Sequence, residues 1–250
     1  MLLVLQYDGG PYAGWQRQPD QPTIQAEIES VLLRITGEQL RVTGAGRTDT
    51  GVHALGQAAS AAVPERWEPD DLVRALNALL PPDIRVSSAR RMVPGFNPRR
   101  HAIERTYCYR VGTDDGAQSP FRRRWEWATG PLDIALLRDE SAALPGTHGF
   151  MAFSARGQEK EHWRCRIDEA MWQPRDGEPG IEFWVTADRF LHHMVRFLVG
   201  TMVDVARGRR PAGTVRALLD TEDNQLASAP APPHGLFLAC VKFPNECYAA

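Results

Sequence analysis

The segment Gly44–His53, with the sequence GAGRTDTGVH, contains a single acid, Asp49, close to Arg47 and to three glycines. A lone carboxylate that a nearby cation keeps ionised is a candidate nucleophile. Two nucleotide-binding motifs resemble this segment, but both are excluded. A dinucleotide fingerprint needs a third glycine where Asp49 lies, and a phosphate-binding P-loop needs lysine where Val52 lies. The residue types therefore indicate a reactive carboxylate rather than a nucleotide-binding loop.

Asp49-Thr50-Gly51 also matches the Asp-Thr-Gly motif of aspartic proteases, whose chemistry needs two carboxylates that share one proton. The chain has no second Asp-Thr-Gly or Asp-Ser-Gly, so only a symmetric homodimer completes such a site. Arg47 and Thr48 are polar where a protease carries apolar strand residues. A dimeric protease stays open as an alternative, as does a hydrogen-bonded turn without chemistry, since Asp, Thr and Gly are ordinary turn residues.

Composition indicates a globular protein: 43% of the 250 residues are hydrophobic and 24% are charged. No apolar run approaches the ~18 residues of a membrane span, and the N-terminus reads as a strand rather than a signal peptide. The four cysteines form no Cys-x-x-Cys pair, which favours neither a metal site nor a disulfide framework. A reducing, cytoplasmic compartment is the simplest expectation.

The positive charge is almost all arginine, since only two of the 29 basic residues are lysine. Arginine suits phosphate and base recognition, although codon bias explains the same excess. Three clusters stand out: Arg99–Arg100, Arg122–Arg124 and Arg207–Arg210. Locally basic surface attracts a polyanion even when the net charge is −2. The sequence leaves open whether these clusters bind RNA.

Hydrophobic periodicity predicts two successive βαββαβ halves. In the first half we expect strands at 1–6, 39–43, 57–63 and 84–92, a helix between a Thr23 cap and Gly37, and a helix from Pro69 to Pro81. In the second half we expect strands at 106–111, 166–173, 181–186 and 236–243, and helices at 132–144, 189–207 and 212–220. The predicted fold is α+β, with two ferredoxin-like halves whose mainly antiparallel sheets are flanked by helices. We expect domains at 1–102 and 103–250, with an active-site cleft between them.

Asp49 is predicted to lie in the loop between the second and third strands, and residues of two other segments are candidate companions for it. Arg196 lies in the apolar helix 189–207, where an arginine either extends to solvent or pairs with an acid. His192 and His193 are adjacent in that helix and point about 100° apart, which favours packing over a metal site. Tyr107 and Tyr109 share one strand face; we expect Tyr109 to pack and Tyr107 to be available to stack on a base.

Together these segments resemble the tRNA pseudouridine synthase A family, nearly from end to end. The segments that carry the resemblance are Tyr7–Gly9, Gly14–Gln18, Thr23–Gln25, Gly44–Gln57, Phe96–Arg99, Arg105–Tyr109, Phe190–Arg196 with Gly200, and Ala231–Leu238. Two departures are small. Thr50 stands where alanine is usual, and Gly149–Phe153 replaces a more polar segment on the substrate side.

The resemblance implies a homodimer that isomerises uridines 38, 39 and 40 of the tRNA anticodon stem-loop, without cofactor or metal. It implies that Asp49 is the catalytic aspartate, that Tyr107 stacks on the target uracil and that Arg196 pairs with Asp49. Leu236 is expected to pack against the target base, and Arg47 to hold RNA beside the flipped nucleotide. A non-catalytic RNA-binding module remains the alternative of a different class.

Overall fold

The computed structural model describes residues 1–155, 163–221, 223 and 225–249. The described chain forms an α+β fold with a mixed, mostly antiparallel sheet arrangement flanked by helices, as predicted at that level. The chain divides into two compact units. Unit 1 contains Met1–Arg105 and the chain from Phe237 onward, and unit 2 contains Thr106–Leu236.

Unit 1 is built on four neighbouring strands in the order β4-β1-β3-β10, with the short β2 paired to β3. β1 is antiparallel to β3 and β4, and β10 is parallel to β3. The bounds are β1 Leu2–Tyr7, α1 Ile24–Thr36, β2 Thr43–Gly44, β3 His53–Ser60, α2 Pro69–Leu79, β4 Ile84–Arg90, α3 Pro98–His101 and β10 Leu236–Lys242.

Unit 2 has the strand order β5-β9-β8-β7, with β6 parallel to β5 and the β7-β8 and β8-β9 pairs antiparallel. The bounds are β5 Glu104–Gly112, β6 Trp127–Ala128, α4 Ile134–Ser141, β7 Gly146–Gly149, β8 Arg164–Pro174, β9 Ile181–Ala187, α5 Met194–Ala206 and α6 Thr214–Leu218. α5 is mostly buried and supplies much of the core of this unit.

Local signals placed α1 and α2 correctly, whereas the short helix α3 was not predicted. The Thr23 hydroxyl accepts a hydrogen bond from the amide of Ala26 and starts α1. Gly37 ends that helix with φ 77°, a left-handed conformation that costs glycine little. Pro69 stands in the first turn of α2, as predicted.

The predicted strand at 39–43 is wrong in extent, because β2 contains only Thr43–Gly44. Side chains of α1 take the place of a strand partner at Val42. Its amide donates to the Glu29 carboxylate at 3.0 Å, and its carbonyl accepts from the Gln25 amide at 3.0 Å. The next strand, β3, correspondingly begins earlier than predicted, at His53.

The predicted helix at 189–207 begins later, at Met194. His193 has φ 62°, in the left-handed region, so the helix cannot continue through it toward residue 189. The compact units also differ from the predicted domains of 1–102 and 103–250. The chain from Phe237 onward packs in unit 1, because β10 pairs with β3.

None of the helices in the described residues is long and apolar enough to cross a membrane.

Candidate active site

Asp49 lies in the loop between β2 and β3, as predicted. Its side chain is partly exposed, whereas the preceding Thr48 is buried at 6% exposure. The Asp49 carbonyl accepts a hydrogen bond from the Val52 amide at 3.1 Å, which closes a turn after the acid. Arg47 is exposed on the same loop. The loop thus presents one acid and one arginine on a backbone that is anchored beside them.

The segment after β1 packs directly against this loop. The Trp15 amide donates to the Thr48 carbonyl at 3.0 Å. Gly14 has φ 90°, and a Cβ at that position would lie 2.7 Å from the Thr48 carbonyl oxygen. Gly9 is constrained in the same way, because a Cβ at that position would collide with the Val52 carbonyl oxygen. These glycines permit a close approach that larger residues would prevent.

Two further contacts within unit 1 fix the ends of the loop. The Arg105 guanidinium donates to the Ala45 and Arg99 carbonyls, each at 3.0 Å. At the other end, His53 is 1% exposed and stacks on Phe237 with 4.8 Å between ring centroids. The loop is therefore held at both ends by side chains outside it.

Tyr107 lies on β5 in unit 2, 9% exposed and edge-on to Phe190, with 4.9 Å between ring centroids. Tyr109 is fully buried and donates its hydroxyl hydrogen to the Pro232 carbonyl at 2.8 Å. Burial raises the pKa of Tyr109 well above 10. The expectation that Tyr109 packs is confirmed, and the stacking role of Tyr107 stays a prediction.

Arg196 is the third residue of α5 and is partly buried. Its Nε donates to the Ala231 carbonyl at 2.8 Å, and the Ala231 amide donates back to the Arg196 carbonyl at 2.9 Å. Leu236, 5% exposed, lies at the start of β10, a few residues after Ala231. The start of α5 is thereby tied to the segment that leads into Leu236.

His192 and His193 lie outside the helix, so the 100° argument against a shared role does not apply to them. His193 is the residue before α5, and the two imidazole centroids are 3.9 Å apart. The Ala155 amide donates to the His192 carbonyl at 3.1 Å.

The arginine clusters are not uniform. Arg122 forms two bonds to Asp114, at 2.7 and 2.8 Å, and its Nε lies 2.7 Å from the buried Glu126 carboxylate. Arg175 also pairs with Glu126, at 2.5 Å. Hydrogen bonds from Arg122 hold the pKa of Asp114 below its usual range. Arg122 therefore links Asp114 to the buried Glu126 within unit 2.

Arg207 has a similar structural role, donating to the Thr129 carbonyl at 2.6 Å and lying over the Trp127 ring. Arg123, by contrast, is exposed. Only the exposed members of these clusters are candidates for RNA contacts.

We expect Arg122→Ala and Arg123→Ala to separate stability from RNA binding. Arg122→Ala removes a partner of buried Glu126 and lowers the midpoint of thermal unfolding. Arg123→Ala leaves that midpoint unchanged and, if this cluster contacts RNA as the sequence leaves open, reduces the salt-dependence slope of log K for RNA by about 1. Differential scanning fluorimetry and filter binding at several salt concentrations measure both effects. An unchanged slope in Arg123→Ala would show that this arginine contacts no phosphate.

Comparison with known proteins defines the class to which this fold and loop belong. The chain matches the family model described as tRNA pseudouridine synthase over residues 3–93 and 141–244. The tRNA pseudouridine synthase A of Myxococcus xanthus is 41% identical over 239 residues, which cover 95% of this chain and 89% of the relative. The tRNA pseudouridine synthase A of Maridesulfovibrio salexigens is 39% identical over 96% of this chain and 89% of the relative. That of Moorella thermoacetica is 38% identical over 97% of this chain and 99% of the relative. The chain belongs to the tRNA pseudouridine synthase A family.

Proposed function

We propose that this chain is an isomerase that converts uridines 38, 39 and 40 of the tRNA anticodon stem-loop to pseudouridine, without cofactor or metal. Asp49 carries the proposal. It is the one acid of a glycine-rich loop anchored at both ends, in a chain that matches pseudouridine synthases over nearly its full length.

The reaction breaks the N1–C1′ glycosidic bond and forms a C5–C1′ bond. The proton on C5 is lost to solvent and N1 gains one, so the atoms balance without an oxidant or a second substrate. Asp49 supplies the carboxylate, whether it adds to C6 of uracil or acts at C1′. The target base must leave the helix stack, which costs a few kcal/mol that stacking and arginine contacts offset.

The other residues take the roles that the family resemblance implies. Tyr107 stacks on the extruded uracil, and Leu236 packs against it. Arg196 supplies the positive charge that keeps Asp49 ionised, and Arg47 holds the RNA beside the target nucleotide. The exposure of Arg47 supports its role in holding RNA. Tyr107 is held by its ring contact with Phe190, and Arg196 by its hydrogen bond to Ala231, which suits residues that must be preorganised for the substrate.

Tyr107 variants test the stacking role. Base stacking on an aromatic side chain contributes about 1–3 kcal/mol, so Tyr107→Ala is expected to lower kcat/KM about 5- to 150-fold. Tyr107→Phe keeps the ring and is expected to bind tRNA as the wild type does. Tyr109→Phe is the matched control for Tyr107→Phe, because it removes a hydroxyl from a buried tyrosine of the same strand that has no proposed contact with the base. A wild-type kcat/KM in Tyr107→Ala would refute stacking.

Two finer assignments belong to the same proposal. We propose that both halves are ferredoxin-like, which the order β1-α1-β2-β3-α2-β4 in unit 1 supports. The active-site cleft expected from the sequence stays a prediction.

We also propose a homodimer, for which light scattering should give twice the 27.9 kDa of one chain. All four cysteines lie in the described residues as free thiols, which supports a reducing, cytoplasmic compartment.

Tritium release from tRNA labelled at C5 of uridine tests the function, because isomerisation frees the C5 hydrogen. A non-catalytic RNA-binding module would bind tRNA and release none. The aspartic-protease alternative gains no support from the comparisons, and it predicts peptide cleavage that a transition-state isostere blocks.

A further inference from the structure

A buried chain of polar side chains leads from the sheet of unit 1 to the loop that carries Asp49. The Tyr7 hydroxyl lies 2.8 Å from Thr48 Oγ1, and Gln57 Nε2 lies 3.4 Å from the same hydroxyl. Gln57 Nε2 also donates to the Gly46 carbonyl at 2.9 Å. Tyr7, Thr48 and Gln57 are 4%, 6% and 0% exposed. The contacts thus reach residues 46 and 48 of the loop from the protein interior.

Two paired strands supply this network. Tyr7 ends β1, and Gln57 lies within β3, where it pairs with Leu5 of β1. The sheet ladder therefore fixes the separation of the two side chains before either contacts the loop. Because the ladder is backbone structure, the network is rigid from that side.

The direction of the Gln57 hydrogen bonds follows from its amide. Its nitrogen faces the Gly46 carbonyl, which only accepts, and so also donates to the Tyr7 oxygen. The bond between Tyr7 and Thr48 Oγ1 joins two hydroxyls, either of which can donate. Burial raises the pKa of Tyr7 to about 12, so the Tyr7 hydroxyl remains protonated at neutral pH and the two hydroxyls stay bonded without a charge.

The hydrogen-bonded network of Tyr7, Thr48 and Gln57 includes one group that lowers the stability of the folded state. Gln57 Oε1 is buried and has no hydrogen-bond partner among the described residues. A buried acceptor without a partner destabilises the folded state, and apolar side chains of similar shape would avoid the cost. The presence of this network is therefore better explained by a role in ordering the Asp49 loop than by a contribution to stability.

We propose that Tyr7 and Gln57 are positioning residues of the synthase, and that Tyr7 acts through Thr48 to fix the adjacent Asp49. The inference rests on the proposed function of Asp49. Thr48 is held by its hydroxyl and by its carbonyl, which accepts from the Trp15 amide, while Asp49 O accepts from Val52. The backbone on both sides of the Asp49 side chain is therefore held in place, which fixes the point from which the carboxylate reaches the substrate.

Tyr7→Phe tests this role, because it removes one hydroxyl and keeps the ring that fills the core. We expect kcat for tritium release to fall about 10- to 100-fold, as a small misplacement of a reacting group does, with KM for tRNA within about twofold of wild type. Thr36→Val is the matched control. It also deletes a buried hydroxyl in unit 1, which donates to the Leu32 carbonyl at 2.8 Å, away from the loop.

The route through Thr48 has its own test. Thr48→Val should lower kcat as Tyr7→Phe does, and the double variant should be no worse than either single variant. Thr48→Ser keeps a hydroxyl for Tyr7 to bond and should restore most of kcat. Additive losses in the double variant would contradict action through Thr48.

Hydrogen exchange of a peptide covering residues 44–53 measures loop order without any activity. Faster exchange is expected in Tyr7→Phe and not in Thr36→Val. Unchanged exchange, or equal losses of kcat in the two variants, would overturn the positioning role. Wild-type protein that releases no tritium would instead refute the proposed function, and the exchange result would still decide whether Tyr7 orders the loop.

Discussion

Asp49→Asn is expected to abolish pseudouridine formation and to leave tRNA binding within about twofold of wild type. Asparagine has nearly the same shape but no negative charge, so it can act neither as nucleophile nor as base. Loss of a nucleophile in other enzymes lowers kcat by about 10⁴- to 10⁶-fold. Asp49 is partly exposed, and its backbone carbonyl keeps its bond to the Val52 amide in the variant. The fold is therefore retained.

Asp70→Asn is the matched control for this prediction. Asp70 is exposed in the first turn of α2, in the same unit, and has no proposed role. Single-turnover tritium release and filter binding are measured for both variants. Residual release within 100-fold of wild type by Asp49→Asn would show that the carboxylate is not the reacting group.

Arg196→Met is expected to lower kcat more than any substitution apart from those of Asp49. Under the proposed pairing the substrate base covers both Arg196 and Asp49, and removing one partner of an ion pair that is desolvated in this way costs at least roughly 3 kcal/mol, which corresponds to about a 150-fold loss of rate. Arg196→Lys should fall between methionine and wild type. Lysine keeps the charge, but its single nitrogen does not reproduce the guanidinium that also donates from Nε to Ala231.

Arg207→Met controls for the loss of packing and of a backbone hydrogen bond. Arg207 follows the last residue of α5 and donates to the Thr129 carbonyl, so both variants lose an arginine from an end of the same helix. A loss of thermal stability is expected in both, and a loss of kcat only in Arg196→Met. Equal losses of kcat in Arg196→Met and Arg207→Met would mean that Arg196 acts through the stability of unit 2 and not on Asp49.

Features set by neighbouring residues were predictable from the sequence. Thr23 and Gly37 cap α1 with their own side chain and backbone, and Pro69 starts α2. The position of Asp49 between β2 and β3 was also predicted correctly, because Gly44 and Gly46 interrupt the strand pattern around it.

Features that depend on distant residues were not predictable from spacing. β2 is short because Gln25 and Glu29 of α1 bond to the backbone of Val42. α5 starts late because His193 adopts a left-handed conformation that is uncommon for residues other than glycine.

The same limit applies to the candidate site. Asp49 was identifiable from its own segment, whereas Tyr7, Thr48 and Gln57 come from three elements that meet only in the folded sheet. No periodicity links them, and each reads separately as an ordinary strand or turn residue. The ion pair of Arg122 with Glu126 was not predicted either, because residues 121–126 form turns and a bend, not the helix in which a four-residue spacing brings side chains together.

Mapping pseudouridine in a single tRNA is the most direct test of the proposed activity. An unmodified tRNA with uridine at positions 38, 39 and 40 is incubated with wild-type protein, alongside the same tRNA with cytidine at those positions. We predict pseudouridine at 38–40 in the first tRNA, none in the second, and none in either with Asp49→Asn. Pseudouridine at other positions, its absence from the first tRNA, or its formation by Asp49→Asn would contradict the assignment.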